Sequence, residues 1–407
     1  MKVAQVNSVY GFGSTGIIVK DLDQMLCQHG DTSCVVYQKT NIAVENGFRV
    51  GNPVDWKLHA LFTRVIGRQG YGSIMATKQM LKYLDIQRPD IVHLHNLHTN
   101  YINLNILLRY LEEKNIPTVI TLHDCWFFTG KCFHFVISGC DKWKTQCRDC
   151  PQNKEDVKSL FFDQSAQVFE DKKKNFQNIS SLTVVACSKW MEKLAEQSPI
   201  FVGKKITQIY NGVDTEIFRY RSNRTFRKKN KLNNYFVILG MANKWLLHKN
   251  SDVFENLLNT LSDDEVIVII GCSEDQKQRL TVHKKIITMG YINNRDELAD
   301  IYSSSDVFVN LTFEDTLPTV NMEAICCGTP VITYDSCGSP ELVENGKTGY
   351  IIPVRSFIDL KASLKKIRTG HFLRYKTEQI GHTNFDKNKQ YLRYLEIYND
   401  LKKTRET

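Results

Sequence analysis

No apolar run among the 407 residues approaches the length that a membrane span requires. No positively charged leader with an apolar core precedes the first strand-like segment, "MKVAQVNSVYGFG". Low-complexity tracts are absent, and so is any recognised nucleic-acid motif. These absences argue against an integral membrane protein, a disordered chain and a nucleic-acid partner. The expectation is a cytoplasmic globular protein. Its 42% hydrophobic and 24% charged residues are ordinary for one, and its length is too great for one core, so two domains are expected.

Acid is missing where the base is densest. The formal net charge is +9, and "FRYRSNRTFRKKNKL" at 218–232 contains Arg and Lys but no Asp or Glu. That stretch reads either as a solvated surface or as a patch for anionic lipid head groups or a polyphosphate-bearing substrate.

Short apolar runs alternate with helical patterns along most of the chain. In the first half the strands are expected at Val3–Val6, Cys34–Tyr37, Ile91–Leu94, Thr118–Leu122 and Leu182–Ala186. In the second half they fall at Phe236–Leu239, Val266–Ile270, Lys285–Met289, Val307–Asn310, Pro330–Thr333 and Tyr350–Ile352. In Gly16–His29, Ile18, Leu22, Met25 and Leu26 share one helical face, and Gly30 supplies a stop. Strands apolar on both faces and separated by helices imply parallel, doubly wound α/β sheets. The pattern occurs twice. It predicts a first Rossmann-like domain over 1–208 with a Cys-rich insertion at 125–151, then a linker over 209–222. A second such domain follows over 223–384, and a closing amphipathic helix over 385–407 carries Tyr391, Leu395 and Tyr398. Two such domains facing across a cleft would bind ligands at the carboxyl ends of their sheets.

Gly11, Gly13 and Gly16 follow the first strand and open the first helix, where backbone N–H groups can approach a phosphate or a sugar. The acid that a dinucleotide fold places about 20 residues further on is missing, and "VVY" stands there instead. Plain turn chemistry is the competing reading. Of His93, His95, His98 and His123, the last stands directly after a clean apolar strand with Asp124 beside it, which favours a positioned polar role. His95 and His98 read as structural histidines. Lys244, His248 and Lys249 follow the strand that opens the second half, where cations would neutralise a diphosphate leaving group. In "FEDTLPTVNMEAICCGTPVI" Pro318 suits the first turn of a helix, with Glu314 and Asp315 at its mouth and Glu323 inside it. An acid flanked by Met322, Ala324 and Ile325 needs a partner.

These stretches resemble the retaining GT-B glycosyltransferases of family 4, which use nucleotide-diphosphate sugars. The resemblance covers nearly the whole chain. It rests on "GSTG", "HLHN", "TLHDCW", "IYNGVDTEIF", "GYINNRDELADIYSSSDVFV" and "EDTLPTVNMEAICCGTPVI". It implies that Asp315 contacts the donor sugar, with Glu314 one place earlier as the competing contact, and that Glu323 holds the ribose hydroxyls. Thr316 and Leu317 would lie along the donor. His123 would stand near the reacting centre, and Gly13 and Gly16 under the donor phosphates. The "GYI" turn at Gly290–Ile292 would clamp the base, with Ile292 in contact. Lys249 would bind phosphate, while Lys244 replaces the family's Arg and so keeps the charge but not the bidentate fork. The implied reaction is a metal-free retaining transfer to a glycan or polyprenyl-linked acceptor in surface polysaccharide synthesis, with the enzyme cytoplasmic or peripheral on the inner membrane face. No Asp-x-Asp stands at a strand end, since "DLD" at 21–23 lies in the first helix. Two alternatives remain at this stage: a sugar-nucleotide epimerase of the same architecture and a catalytically silent nucleotide-sugar-binding subunit.

Twelve cysteines are many, and five lie between 125 and 150. Cys132, Cys140, Cys147 and Cys150 follow a C-x7-C-x6-C-x2-C spacing whose last pair suits a zinc knuckle, with His134 as a substitute ligand. Disulfides and free thiols are the competing readings, the former disfavoured in a reducing compartment. Cys326 and Cys327 read as small buried hydrophobes.

Overall fold

The computed structural model describes residues 1–246, 251–280, 282–370 and 372–406. It divides into two compact units, Met1–Tyr210 together with Asn388–Thr407, and Asn211–Lys387.

The first unit holds seven strands: β1 (Lys2–Tyr10), β2 (Thr32–Thr40), β3 (Gly47–Arg49), β4 (Ile91–Leu94), β5 (Thr118–Leu122), β6 (Leu182–Ala186) and β7 (Lys205–Gln208). They form one parallel sheet in the order β3-β2-β1-β4-β5-β6-β7. Chain order reverses between β1 and β4, so the loops after these two strands flank the crevice at the switch point. The expected strands are all present, and β1 and β2 run longer than their apolar cores. The short edge strands β3 and β7 carry no continuous apolar run, which is why the sequence pattern missed them. Both β4 and β5 are buried along their whole length, as strands covered by helices on both faces must be.

The C-terminal helix, Lys387–Glu406, belongs to this first unit although it comes last in sequence. Tyr391, Tyr394, Leu395 and Tyr398 pack with Ile18 and Leu22 of the first helix (Gly13–Gln28) and with Val3, Ile91, Val119 and Val185 of the sheet.

The second unit holds β8 (Phe236–Met241), β9 (Glu265–Ile270), β10 (Ile286–Thr288), β11 (Val307–Asn310), β12 (Val331–Tyr334) and β13 (Gly349–Ile352). They form a parallel sheet in the order β10-β9-β8-β11-β12-β13. Here the reversal falls between β8 and β11. Trp245 and Phe254 pack in a core with Ile238, Ile267, Val309 and Ile332. The basic stretch is less free than its composition suggests. Arg227 is buried and donates to the Ser304 carbonyl and to Asp306, and Arg221 pairs with Asp296 at 2.7 Å. Part of the charge read as a surface patch is therefore internal wiring of this unit.

Among the described residues no helix is long and apolar enough to cross a membrane.

Candidate active site

The second unit gathers its candidate donor residues at the β8–β11 switch point. After β8 a short helical turn, Ala242–Trp245, carries Lys244, and its Nζ lies 3.2 Å from Asp315 Oδ2 and 3.1 Å from Thr312 Oγ1. Lys249 and His248 lie outside the described residues.

After β11 the chain turns through 311–318 before the helix Thr319–Cys326 begins. Pro318 is the residue preceding that helix rather than part of its first turn, so Glu314 and Asp315 stand further from the helix mouth than the sequence pattern placed them. Local hydrogen bonds shape the loop. Leu317 N–H donates to Asp315 Oδ1 at 3.3 Å, Gly338 N–H donates to the Asp315 carbonyl, and Thr312 Oγ1 donates to the Glu314 carbonyl. Thr316 and Leu317 bury their side chains beneath it. The Leu317 N–H thus holds one oxygen of the Asp315 carboxylate while the other meets Lys244.

Glu323 sits on the helix, mostly buried. The Tyr302 hydroxyl donates to its Oε2 at 3.2 Å. Burial raises the Glu323 carboxyl to about 7, against the opposing pull of Arg295 and the Tyr302 hydrogen bond. The acid thus has the partners that its apolar flanks demanded. Arg295 and Tyr302 both fall in the stretch "NNRDELADIYSSSD", where nothing in the spacing singled them out. Ile292 is partly exposed after β10, in the Gly290–Ile292 segment, whose Gly290 carbonyl accepts from Gly271 N–H.

Gly13, Gly16 and His123 lie in the first unit, so the sequence-predicted set divides between the two. Gly13 opens the first helix at φ +66°, and a Cβ there would meet open space. Gly16 is different. A Cβ on it would lie 3.1 to 3.3 Å from Val9, so this glycine lets the helix pack closely on β1, whatever else it does.

His123 follows β5, and its Nε2 lies 3.1 Å from His95 Nδ1 with the two rings stacked. Burial lowers His123 to about 4, against Asp124, so the ring is neutral at ordinary pH. Asp124 is held by His98, whose Nε2 lies 2.8 Å from Asp124 Oδ2, and by Trp126 N–H at 2.8 Å. Burial alone would raise that carboxyl, but these partners outweigh it and keep it low. His98, read as a structural residue, is therefore the partner of Asp124. His95 is buried as expected. His93 hydrogen-bonds Tyr398 and Thr121, and the latter touches Tyr394, a link across the whole chain that no local pattern announces.

Cys132, Cys140, Cys147 and Cys150 line one small space of about 10 Å³, close to the room one water needs. Gly130 N–H donates to Cys147 Sγ at 3.2 Å, and the Cys132 thiol hydrogen-bonds Cys150, which lowers the latter. His134 does not line this space and acts on Asp124 and Asp156 instead, which removes it from the thiol set. All twelve cysteines are free thiols. Among the described residues no three His, Cys, Asp or Glu side chains are drawn together closely enough for a metal ion. Cys326 and Cys327 are fully buried, as expected of small hydrophobes.

Two parallel doubly wound units with these loops define a GT-B glycosyltransferase. Residues 16–217 match Glycosyltransferase Family 4 and residues 222–381 match Glycosyl transferases group 1, and the chain belongs to this family of enzymes. It is 24% identical to the putative colanic acid biosynthesis glycosyl transferase WcaC of Escherichia coli K12, over 86% of this chain and 87% of that protein. It is 30% identical to an Escherichia coli UDP-Gal:alpha-D-GlcNAc-diphosphoundecaprenol alpha-1,3-galactosyltransferase, over 38% of this chain and 44% of that one. The fold matches sucrose-phosphate synthase from Thermosynechococcus elongatus with a TM-score of 0.73, at 15% identity and 98% coverage of both chains. Anabaena Alr3699/HepE in complex with UDP and glucose matches with a TM-score of 0.66, at 14% identity, over 98% of this chain and all of that one.

Proposed function

We propose that this glycosyltransferase moves a sugar, with retention of configuration, from a nucleotide-diphosphate sugar to a glycan or polyprenyl-linked acceptor in surface polysaccharide synthesis. The observation that carries the reading is the Lys244–Asp315 pair at the switch point of the second sheet, with Glu323 on the helix that follows the Asp315 loop. The relatives support it: one is named for colanic acid biosynthesis, one for transfer from UDP-Gal to a diphosphoundecaprenol-linked sugar, and the fold neighbour HepE holds UDP and glucose.

In this reading the second unit binds the donor and the first serves the acceptor. Glu323 accepts the ribose hydroxyls, and Asp315 or Glu314 accepts sugar hydroxyls. Lys244, with Lys249, stabilises the charge that develops on the leaving diphosphate. Thr316, Leu317 and Ile292 line the donor, and Gly13 and Gly16 let the first helix approach its phosphates. Neutral His123 offers a hydrogen bond to the sugar at the reacting centre. The leaving phosphate helps to take the acceptor's proton, so that no catalytic metal is required.

Calorimetry and thermal shift with UDP, GDP and ADP, on wild type and Glu323→Ala, test the donor site. One nucleotide should bind selectively and be lost in the variant. Equal binding by both proteins would sink the assignment of Glu323. NMR of the anomeric proton in the product tests retention.

For the cysteine loop we propose a structural zinc on Cys132, Cys140, Cys147 and Cys150, which line one small space but would have to draw closer together than they stand here to hold the ion. Metal analysis of protein purified without chelator should find about one zinc per chain, lost in Cys147→Ser with Cys150→Ser. Metal-free, fully folded protein would refute it.

A further inference from the structure

The first unit carries an apolar surface that its own core leaves open. On the helix Pro53–Ile66, Val54, Leu58, Leu61 and Phe62 fall within an arc of about 100°, and Leu58 and Leu61 are 61% and 59% exposed. The opposite face supplies the packing. There His59 and Thr63 are buried, and the His59 ring bonds Ser73 Oγ at 2.9 Å and accepts Gly72 N–H at 3.0 Å. Among the described residues no other helix exposes four large apolar side chains.

A second segment extends this surface. Leu160 N–H donates to the Arg64 carbonyl at 2.7 Å, and the Phe162 carbonyl stands so near Gly67 that a Cβ there would lie 2.6 Å from it. These contacts hold Leu160, Phe161 and Phe162 beside the last turn of the helix, with Phe161 71% exposed.

The rim is cationic. Lys57, Arg64 and Lys158 are exposed, and Arg64 and Lys158 also line a cavity of about 570 Å³ with Leu61 and Phe133. The neighbouring acids are mostly engaged by backbone N–H groups: Asp55 caps its own helix, Asp163 accepts from Cys150 and Ser165, and Asp156 accepts from Phe133. Glu155 is the exposed acid that remains in the 151–163 loop.

Patches of this size are uncommon on a surface that faces only water. An exposed apolar helical face flanked by Lys and Arg suits the plane between acyl chains and anionic head groups, where each cation adds to the attraction. We propose that the helix Pro53–Ile66 and the loop 160–162 form the face on which this enzyme docks onto an anionic lipid bilayer. The charge at the rim selects a phospholipid surface over an uncharged apolar partner. The inference builds on the proposed lipid-linked acceptor and places the membrane contact here rather than on the basic stretch 218–232.

Vesicle flotation tests it without any sugar transfer. The full chain is mixed with vesicles of phosphatidylcholine alone, or of phosphatidylcholine and phosphatidylglycerol in equal parts. Wild type should float with the anionic vesicles and much less with the neutral ones. Leu58→Ser with Leu61→Ser and Phe161→Ser should weaken that binding by about tenfold or more, as should the pair Lys57→Glu and Arg64→Glu. Ile358→Ser, an exposed apolar site in the second unit, should float as wild type does. Nucleotide binding by each variant, measured in parallel, should be unchanged; its loss in wild type would count against the donor reading and leave the docking result standing. Three outcomes overturn the proposal: no flotation of wild type, full flotation of both surface variants, or a dimer in sedimentation that the apolar variant dissolves. Loss of flotation in Lys228→Glu with Lys229→Glu, with the surface variants unaffected, would return the contact to the basic stretch.

Discussion

The Tyr398 hydroxyl lies 2.6 Å from His93 Nδ1, joining the last helix of the chain to the middle of its first sheet across 305 positions. The other ring nitrogen of His93 meets Thr121, and the His93 ring lies against that of His95, which in turn bonds His123. The candidate catalytic histidine thus rests on a stack anchored by the C-terminal helix. Burial holds both His93 and His95 well below the usual imidazole range, so the stack is neutral and carries no internal repulsion.

Tyr398→Phe leaves a buried imidazole nitrogen without its partner and should cost about 1–3 kcal/mol. Chemical denaturation followed by the first unit's tryptophans measures it. Tyr391→Phe, on the same helix, serves as the comparison. A Tyr398→Phe variant as stable as wild type would show that the bond contributes nothing.

Glu323 makes stability fall as pH rises. Its folded carboxyl, at about 7, holds its proton more tightly than the ordinary carboxyl at 4.5. The resulting stabilisation is complete below the lower value and is lost as the pH rises through the upper one. Glu323→Gln should therefore match wild type at about pH 5 and exceed it by on the order of 2 kcal/mol at about pH 8. Nucleotide binding should run the opposite way in wild type and strengthen as the carboxylate forms. Parallel stability profiles would remove the buried charge from the account.

Lys244→Met removes a cation held 3.2 Å from Asp315. If Lys244 meets the outer phosphate of the donor, as proposed, affinity for the nucleoside diphosphate should fall by about 10- to 100-fold while affinity for the monophosphate stays nearly level. Lys244→Arg should restore part of the loss. Equal losses for both nucleotides in calorimetry would place Lys244 elsewhere than at the diphosphate.

His123→Ala should reduce kcat by about 10²- to 10³-fold with donor affinity little changed. His123 titrates at about 4, so in the wild type its protonation should not bend the rate profile above about pH 5. A break near neutrality that vanishes in His123→Ala would mean that the ring is charged during turnover.

Much of this was legible in the sequence. Apolar runs with helical stretches between them marked the central strands, because a strand buried on both faces must be apolar throughout. Ile91–Leu94, Thr118–Leu122, Leu182–Ala186 and Val307–Asn310 appear with the expected bounds. The acids of "FEDTLPTVNMEAICCG" stood out because Glu323 broke an apolar context. Edge strands such as Gly47–Arg49 and Lys205–Gln208 bury too little to leave that mark.

Sequence alone therefore determined the alternation of strands and helices, the two parallel sheets, the loops that carry Asp315 and His123 and the short helix that carries Glu323. These are local consequences of hydrophobic period and turn chemistry. Tertiary structure decided which distant groups meet: Tyr398 with His93, His98 with Asp124, Lys244 with Asp315 and Tyr302 with Glu323. It also decided that the basic stretch turns partly inward while the helix Pro53–Ile66 keeps its apolar face open. A spacing rule reaches only a few residues along the chain, whereas these pairings depend on how the sheets and helices pack, and packing is a property of the whole unit.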